Sequence, residues 1–226
     1  MKIKPSQFFK IFFFIGFICL MMSCVKNDNF DLDTKVRFFN VVDGPGQDFY
    51  LNGVRTATGI NYSSNSEYIV AFGNKEYSII AKNTGTQVSS DTIKKTLEVG
   101  KNYSVYYVRT SEIDSVLKVF EDDLTPDTAV SRLFFINAGF TLPSRVEIRN
   151  ETSSFTTSLG NGENSGYIMM PTGKDSKLYF NLVGSTVVDT LSYTNFYKGK
   201  TYTIVIDGVN KGNDKGKLRE RLIVNN

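Results

Sequence analysis

The sequence predicts an all-β protein: two tandem small β-sandwiches, Ig-like or transthyretin-like, behind a short apolar leader. Three observations carry that expectation. Short runs rich in Val, Ile, Tyr, Phe and Thr are separated by Gly, Asn and Asp clusters, with no convincing amphipathic helix. Motifs recur in order: Val36-Arg37-Phe38-Phe39-Asn40-Val41 with Leu133-Phe134-Phe135-Ile136-Asn137-Ala138, Asp91-Thr92-Ile93 with Asp189-Thr190-Leu191, and Gly100-Lys101-Asn102-Tyr103-Ser104-Val105 with Gly199-Lys200-Thr201-Tyr202-Thr203-Ile204. Their offset of about 97–99 residues is a domain length, not a solenoid period. Seven short strands in each copy then suit a small sandwich.

The leader comes first. Lys2, Lys4 and Lys10 give a positive start, and Ile11 to Met22 is apolar apart from Gly16. Twelve helical residues reach about 18 Å, against roughly 30 Å of bilayer hydrocarbon. The segment is too short to span and reads as a signal peptide. No alanine precedes Ala57, so an Ala-x-Ala cleavage site is missing. Met21-Met22-Ser23-Cys24 resembles a bacterial lipobox, with the small Ser23 before the cut and Cys24 as the lipidated residue; Met21 departs from the usual leucine. Residues 1–23 are thus expected to be a lipoprotein signal peptide. Cys24 would carry a diacylglycerol and, on its freed amine, a further acyl chain such as palmitate. Two chains give stable anchoring where one does not. Residues 24–34 are polar and acidic and form a flexible tether reaching at most ~35 Å. Acidic residues there also resemble surface-export signals of some Gram-negative lipoproteins. The expected location is the outer membrane, lipid-anchored, with exposure at the cell surface a further option.

The first sandwich is expected over 35–125. Its strand candidates are Lys35–Val41, Gln47–Leu51, Tyr68–Phe72, Glu76–Lys82, Thr92–Leu97, Asn102–Arg109 and Ser115–Phe120. Asn52-Gly53 is a hairpin dipeptide, since both residues tolerate positive φ. Tyr103 to Val108 is apolar on both faces, as in a central strand. Thr125-Pro126-Asp127 breaks the pattern. The second sandwich, 130–226, offers Ser131–Asn137, Arg145–Arg149, Gly166–Met170, Lys177–Leu182, Val187–Tyr193, Thr201–Asp207 and Lys217–Val224. Asn83 to Gly85 and Gly208 to Gly216 read as hairpin loops.

Composition excludes several chemistries. Three of the 26 basic residues lie in the leader, leaving 23 against 23 acidic ones. The mature chain is near neutral, which argues against nucleic acid as a partner. There is no histidine. Cys19 leaves with the leader and Cys24 is acylated, so neither a disulfide nor a thiolate remains. Carboxylate, Ser/Lys or Tyr chemistry is all that is left, and nothing arranges it. No catalytic residue, metal centre or cofactor is assigned.

Val36-Arg37-Phe38-Phe39-Asn40 leads into Asp43-Gly44-Pro45 and then Asp48-Phe49-Tyr50-Leu51-Asn52-Gly53. This resembles the opening of the bacterial "domain of unknown function 4397" family, and Gly100 to Val105 resembles its later Gly-Lys-x-Tyr-Thr-Val strand. The resemblance covers most of 35–110. In the second half Asn137 and Gly199 to Ile204 match, while the Asp/Pro turn has decayed to Gly139-Phe140-Thr141-Leu142-Pro143. It implies a β-sandwich on secreted or surface lipoproteins and no activity.

Candidate sites each have a plainer reading. Asp43 and Asp48, with the loop between them, could offer oxygens to calcium, but a turn needs the same residues. Glu121, Asp122, Asp123 and Asp127 could stiffen a hinge through a cation; a solvated linker is the preferred reading. Asp207 to Asp214 reads as a long hairpin. Lys211, Lys215, Lys217, Arg219 and Arg221 could meet lipid phosphates or acidic glycans, but alternating charge on an edge strand also blocks aggregation, which is preferred. Tyr62, Tyr68 and Tyr167 could stack on sugars; packing is preferred. The resulting expectation is a lipid-anchored envelope protein of binding or adhesion type, its ligand a glycan or protein. The alternatives are a structural accessory of an outer-membrane transport or surface-assembly complex and, behind it, a carboxylate-dependent hydrolase.

Overall fold

A computed structural model describes residues 33–125, 127–151, 154–171, 177–192, 196–210 and 212–225. Cys24, Ser23 and the tether up to residue 32 lie outside the described residues. The first half holds nine strands: β1 (Asp33–Asn40), β2 (Gln47–Leu51), β3 (Val54–Ile60), β4 (Ser64–Asn65), β5 (Ile69–Phe72), β6 (Lys75–Asn83), β7 (Ser89–Leu97), β8 (Asn102–Arg109) and β9 (Ser115–Asp122). The second holds eight: β10 (Val130–Asn137), β11 (Val146–Asn150), β12 (Thr156–Leu159), β13 (Asn164–Pro171), β14 (Lys177–Leu182), β15 (Val188–Ser192), β16 (Thr201–Gly208) and β17 (Leu218–Val224). Among the described residues, a 3-10 turn, Gly212–Asp214, tips the last hairpin. The all-β expectation holds, and every expected strand is present. No helix among the described residues is long and apolar enough to cross a membrane.

These strands make four sheets. The first outer sheet runs β3-β2-β6-β7, and the first inner sheet β4-β1-β8-β9, with β5 also on β1. The second inner sheet runs β13-β10-β16-β17, and the second outer sheet β12-β11-β14-β15. The halves share one plan down to the parallel pair at the centre of each inner sheet. In one, Val36 lies opposite Tyr103; in the other, Leu133 lies opposite Tyr202.

Period-2 alternation sorts β1 between two cores. Val36 and Phe38 point into the first sandwich, where Phe38 stacks on Phe49 at 4.8 Å. Arg37 and Phe39 point the other way, and Phe39 stacks on Tyr106 at 4.5 Å. That other face is not solvated. Phe39, Val41, Tyr106 and Val108 form a third core with Phe134, Ile136, Ala138 and Val205 of the second half. The two inner sheets therefore pack face to face, and the order of layers is outer, inner, inner, outer. This explains why Tyr103 to Val108 is apolar on both sides: each face of β8 is covered by another sheet, and all six residues are buried.

Small polar devices repeat with the plan. Asn40 sends Nδ2 to the Ile60 carbonyl and accepts the Val42 N–H; Asn137 does the same with Leu159 and Gly139. The Tyr103 hydroxyl accepts the Glu98 N–H, and the Tyr202 hydroxyl accepts the Tyr197 N–H. The Asn52-Gly53 turn has φ of 50° and 81°, the left-handed pair a tight hairpin needs.

Candidate binding groove and the junction beside it

The halves differ most where they face each other and along one open seam. Across the first inner sheet, the junction face carries Tyr68, Arg37, Ser104 and Asp122. The corresponding row in the second half is Tyr167, Phe134, Thr203 and Asn225. Arg37 and Asp122 are 3% and 7% exposed. Arg37 Nε donates to Ser104 Oγ at 2.9 Å and lies 3.8 Å from Asp122. Its guanidinium sits over the rings of Phe39 and Tyr68 at 4.8 and 4.6 Å, cation–π contacts that partly replace lost water. Asp122 accepts Ser104 Oγ, the Tyr68 hydroxyl at 2.7 Å and, from across the junction, the Tyr167 hydroxyl at 3.2 Å. Burial first, and the Asp122 charge second, push both tyrosines far above the ordinary phenol range, so they stay donors. The twin row has a phenylalanine for the arginine and an asparagine for the aspartate, joined by Asn225 Nδ2 to Thr203 Oγ1 at 2.9 Å. One row is ionic and the other neutral.

A second clasp closes one edge of the junction. Tyr62, in the loop after β3, donates to Asp207, which is 1% exposed; Arg219 reaches both of them. Arg221 approaches the same carboxylate at 3.8 Å. Burial and then the Asp207 bond raise the Tyr62 phenol to about 12. The basic hairpin is therefore not an open cationic face: Arg219 and Arg221 turn inward, Lys215 pairs with Glu112 and Lys217 with Asp214. Lys211 lies outside the described residues. Sequence reasoning missed this clasp, although the hairpin register places Asp207 opposite Arg219.

The acidic candidates fall to separate places. Asp43 lies half-buried in the loop before β2. Asp48 is buried and accepts Thr58 Oγ1, the Gly59 N–H and Thr84 Oγ1, with Arg55 at 3.6 Å. Burial raises its pKa, but those donors together outweigh it and the net shift is downward. Asp123 and Asp127 both pair with Arg132. The solvated-linker reading is corrected at Asp122, which the facing sheets bury. No three His, Cys, Asp or Glu side chains converge as a metal set among the described residues. Tyr62, Tyr68 and Tyr167 all serve the junction and form no open sugar platform.

The seam between each inner and outer sheet sets the halves apart. In the first, Asp91 on β7 faces the sandwich and accepts the Leu117 N–H of β9 at 2.6 Å, while buried Leu117 fills the space behind. The equivalent residues in the second half are Asp189 on β15 and Glu220 on β17. Glu220 stands at the leucine position, since Tyr107 lies opposite Leu117 and Ile206 opposite Glu220. Its pKa is raised by burial first and by the Asp189 charge second. Glu220 thus puts a second carboxylate where the first half packs Leu117, and its charge and that of Asp189 repel across the seam. Beside them lies a groove of about 590 Å³, with Phe180, Leu182, Val188 and Leu218 along its walls and Asp189, Lys215 and Lys217 at its rim. Val187 and Val188 are 75% and 45% exposed there. Neither Asp189 nor Glu220 forms an ion pair with a described residue. The groove offers apolar surface with one carboxylate and two lysines at its rim.

The model of a family described as a domain of unknown function (DUF4397) matches residues 34–144, which bears out the resemblance read between 35 and 110. The match spans the first sandwich and continues through β10 to the loop before β11. No curated protein matches the chain. Among solved structures, the chain is similar to the crystal structure of CBMbc (family CBM26) from Eubacterium rectale Amy13K in complex with maltoheptaose. Identity is 11%, coverage 84% of this chain and 96% of that one, and the TM-score 0.26. At that TM-score the likeness carries no argument about fold or ligand.

Proposed function

We propose, for a chain whose residues 34–144 carry a DUF4397 domain, that it is a lipid-anchored envelope protein that binds rather than catalyses. Its ligand, a surface glycan or protein segment, would enter the groove between β15 and β17. The open seam carries this reading. The first half closes the same seam with Leu117 and Asp91, whereas the second leaves apolar side chains exposed beside Asp189. Exposed apolar surface with a few polar groups is the usual make-up of a ligand site. A non-catalytic role is supported by composition, which supplies no histidine. It is supported too by the carboxylates at the junction, each held by donors rather than turned to a cleft. Cleavage between Ser23 and Cys24, acylation of Cys24 and an outer-membrane location belong to the same proposal and rest on the leader sequence.

The test is a glycan and matrix-protein array probed with the soluble 25–226 fragment and its Val188→Asp variant. Capture by the parent and loss by the variant is the expected result. Uniform silence, or equal capture by both, overturns the groove as the site. Anchoring is read separately: Cys24→Ala should abolish acyl labelling and release the protein from membranes.

A further inference from the structure

One end of the first sandwich carries an exposed apolar ridge. Val54, Val70 and Phe72 are 67%, 59% and 69% exposed. They line a shallow depression of about 310 Å³ together with Asp33, Lys75 and Tyr77. Asp33 is the first residue of β1, so the chain coming from Cys24 enters the fold at this depression. Nine peptide units separate Cys24 from Asp33, at most about 32 Å of extended chain. Other exposed apolar side chains of this half lie at its opposite end: Ile113 tips the β8–β9 hairpin and Val88 the β6–β7 hairpin.

We propose that this ridge is a membrane-contact surface: Phe72, Val70 and Val54 enter the acyl–headgroup boundary of the bilayer that holds Cys24, and Lys75 meets lipid phosphates beside them. It rests on the lipidation reading above. Three features argue for a bilayer as the occupant. A short tether holds this end of the sandwich near the surface at high effective concentration. Phenylalanine and valine side chains partition into the interface. The Lys75 ammonium, 5.5 Å from the Tyr77 ring centre, sits at the rim where anionic headgroups attract cations.

The chain contains no tryptophan, so one introduced residue is a clean reporter. The full chain, produced with its leader, would be reconstituted into phosphatidylethanolamine–phosphatidylglycerol vesicles carrying brominated acyl chains. Phe72→Trp should emit at shorter wavelength than in detergent-free buffer and lose most of its emission to bromine. Ile113→Trp, at the far end, should keep its emission. Equal quenching at both sites, or none at Phe72→Trp, overturns the proposal. So does a Phe72→Trp emission already blue-shifted without vesicles, which would mean that protein covers the ridge. Acyl labelling separates the two readings. An unlabelled chain fails anchoring and ridge together; a labelled chain with unquenched Phe72→Trp fails the ridge alone.

Discussion

Asp122→Asn should be among the most damaging isosteric changes in this molecule. It leaves shape and one acceptor oxygen in place but removes the carboxylate that lies, among the described residues, within 4 Å of buried Arg37. Stripping one partner from a buried ion pair costs about 3–5 kcal/mol, because the other charge stays desolvated. With a urea slope of ~2–3 kcal/mol/M, the midpoint should fall by roughly 1–2 M. The second half supplies the rescue, since it carries Phe134 and Asn225 at the matching places. Arg37→Phe combined with Asp122→Asn copies that neutral row. Replacing both members of a buried pair by groups of similar volume is often neutral or stabilising by about 1–4 kcal/mol. The double variant should therefore recover most of the loss, a coupling of about 2 kcal/mol or more. The assay is equilibrium urea unfolding at pH 7 for wild type, both singles and the double. A cost below about 1 kcal/mol for Asp122→Asn, or a double equal to the sum of the singles, would refute the ionic row as a coupled unit.

Two further outcomes follow from the seam and the repeated caps. Glu220→Gln should stabilise the protein at pH 7 by a few tenths of a kcal/mol, a modest figure because Glu220 is only half-buried and solvent screens it. Its folded pKa is raised, so the penalty falls on the ionised form and fades as pH drops through that pKa; the gain should shrink toward pH 4, and a gain that grows on acidification would contradict it. Asn40→Ala and Asn137→Ala should each destabilise by about 1–3 kcal/mol per orphaned backbone group, and thermal melts should show similar losses for the two; a large loss at one and none at the other would break the equivalence.

Much of the fold was legible from the chain. Fourteen expected strands appear because their Val, Ile, Phe and Tyr runs alternate between covered faces. The strands missed are β3, β4 and β12. Val54 to Ile60 contains Arg55, three small or hydroxyl residues and Gly59; Thr156 to Leu159 is three hydroxyl residues and a leucine. They lie at sheet edges, where pairing with one neighbour holds them and little apolar side chain is needed. The candidate groove was not legible at all. In the sequence Glu220 is one charge among many in the last hairpin, and only the register places it where the first half has Leu117.

By itself, the sequence determined the chemistry available and the local plan: no histidine, a cysteine behind a short apolar run, duplicated motifs, and strands bounded by Asn, Asp and Gly. Those follow from residue type and spacing, which act over a few neighbours. Only the tertiary structure decided what faces what. It buried Arg37 and Asp122 between two inner sheets, turned Arg219 and Arg221 onto Asp207, and left one of two equivalent seams open. Such pairings join residues far apart in the chain, 145 positions for Tyr62 and Asp207 and 157 for Tyr62 and Arg219. Composition cannot encode which surfaces meet, because that is fixed by the packing of whole sheets.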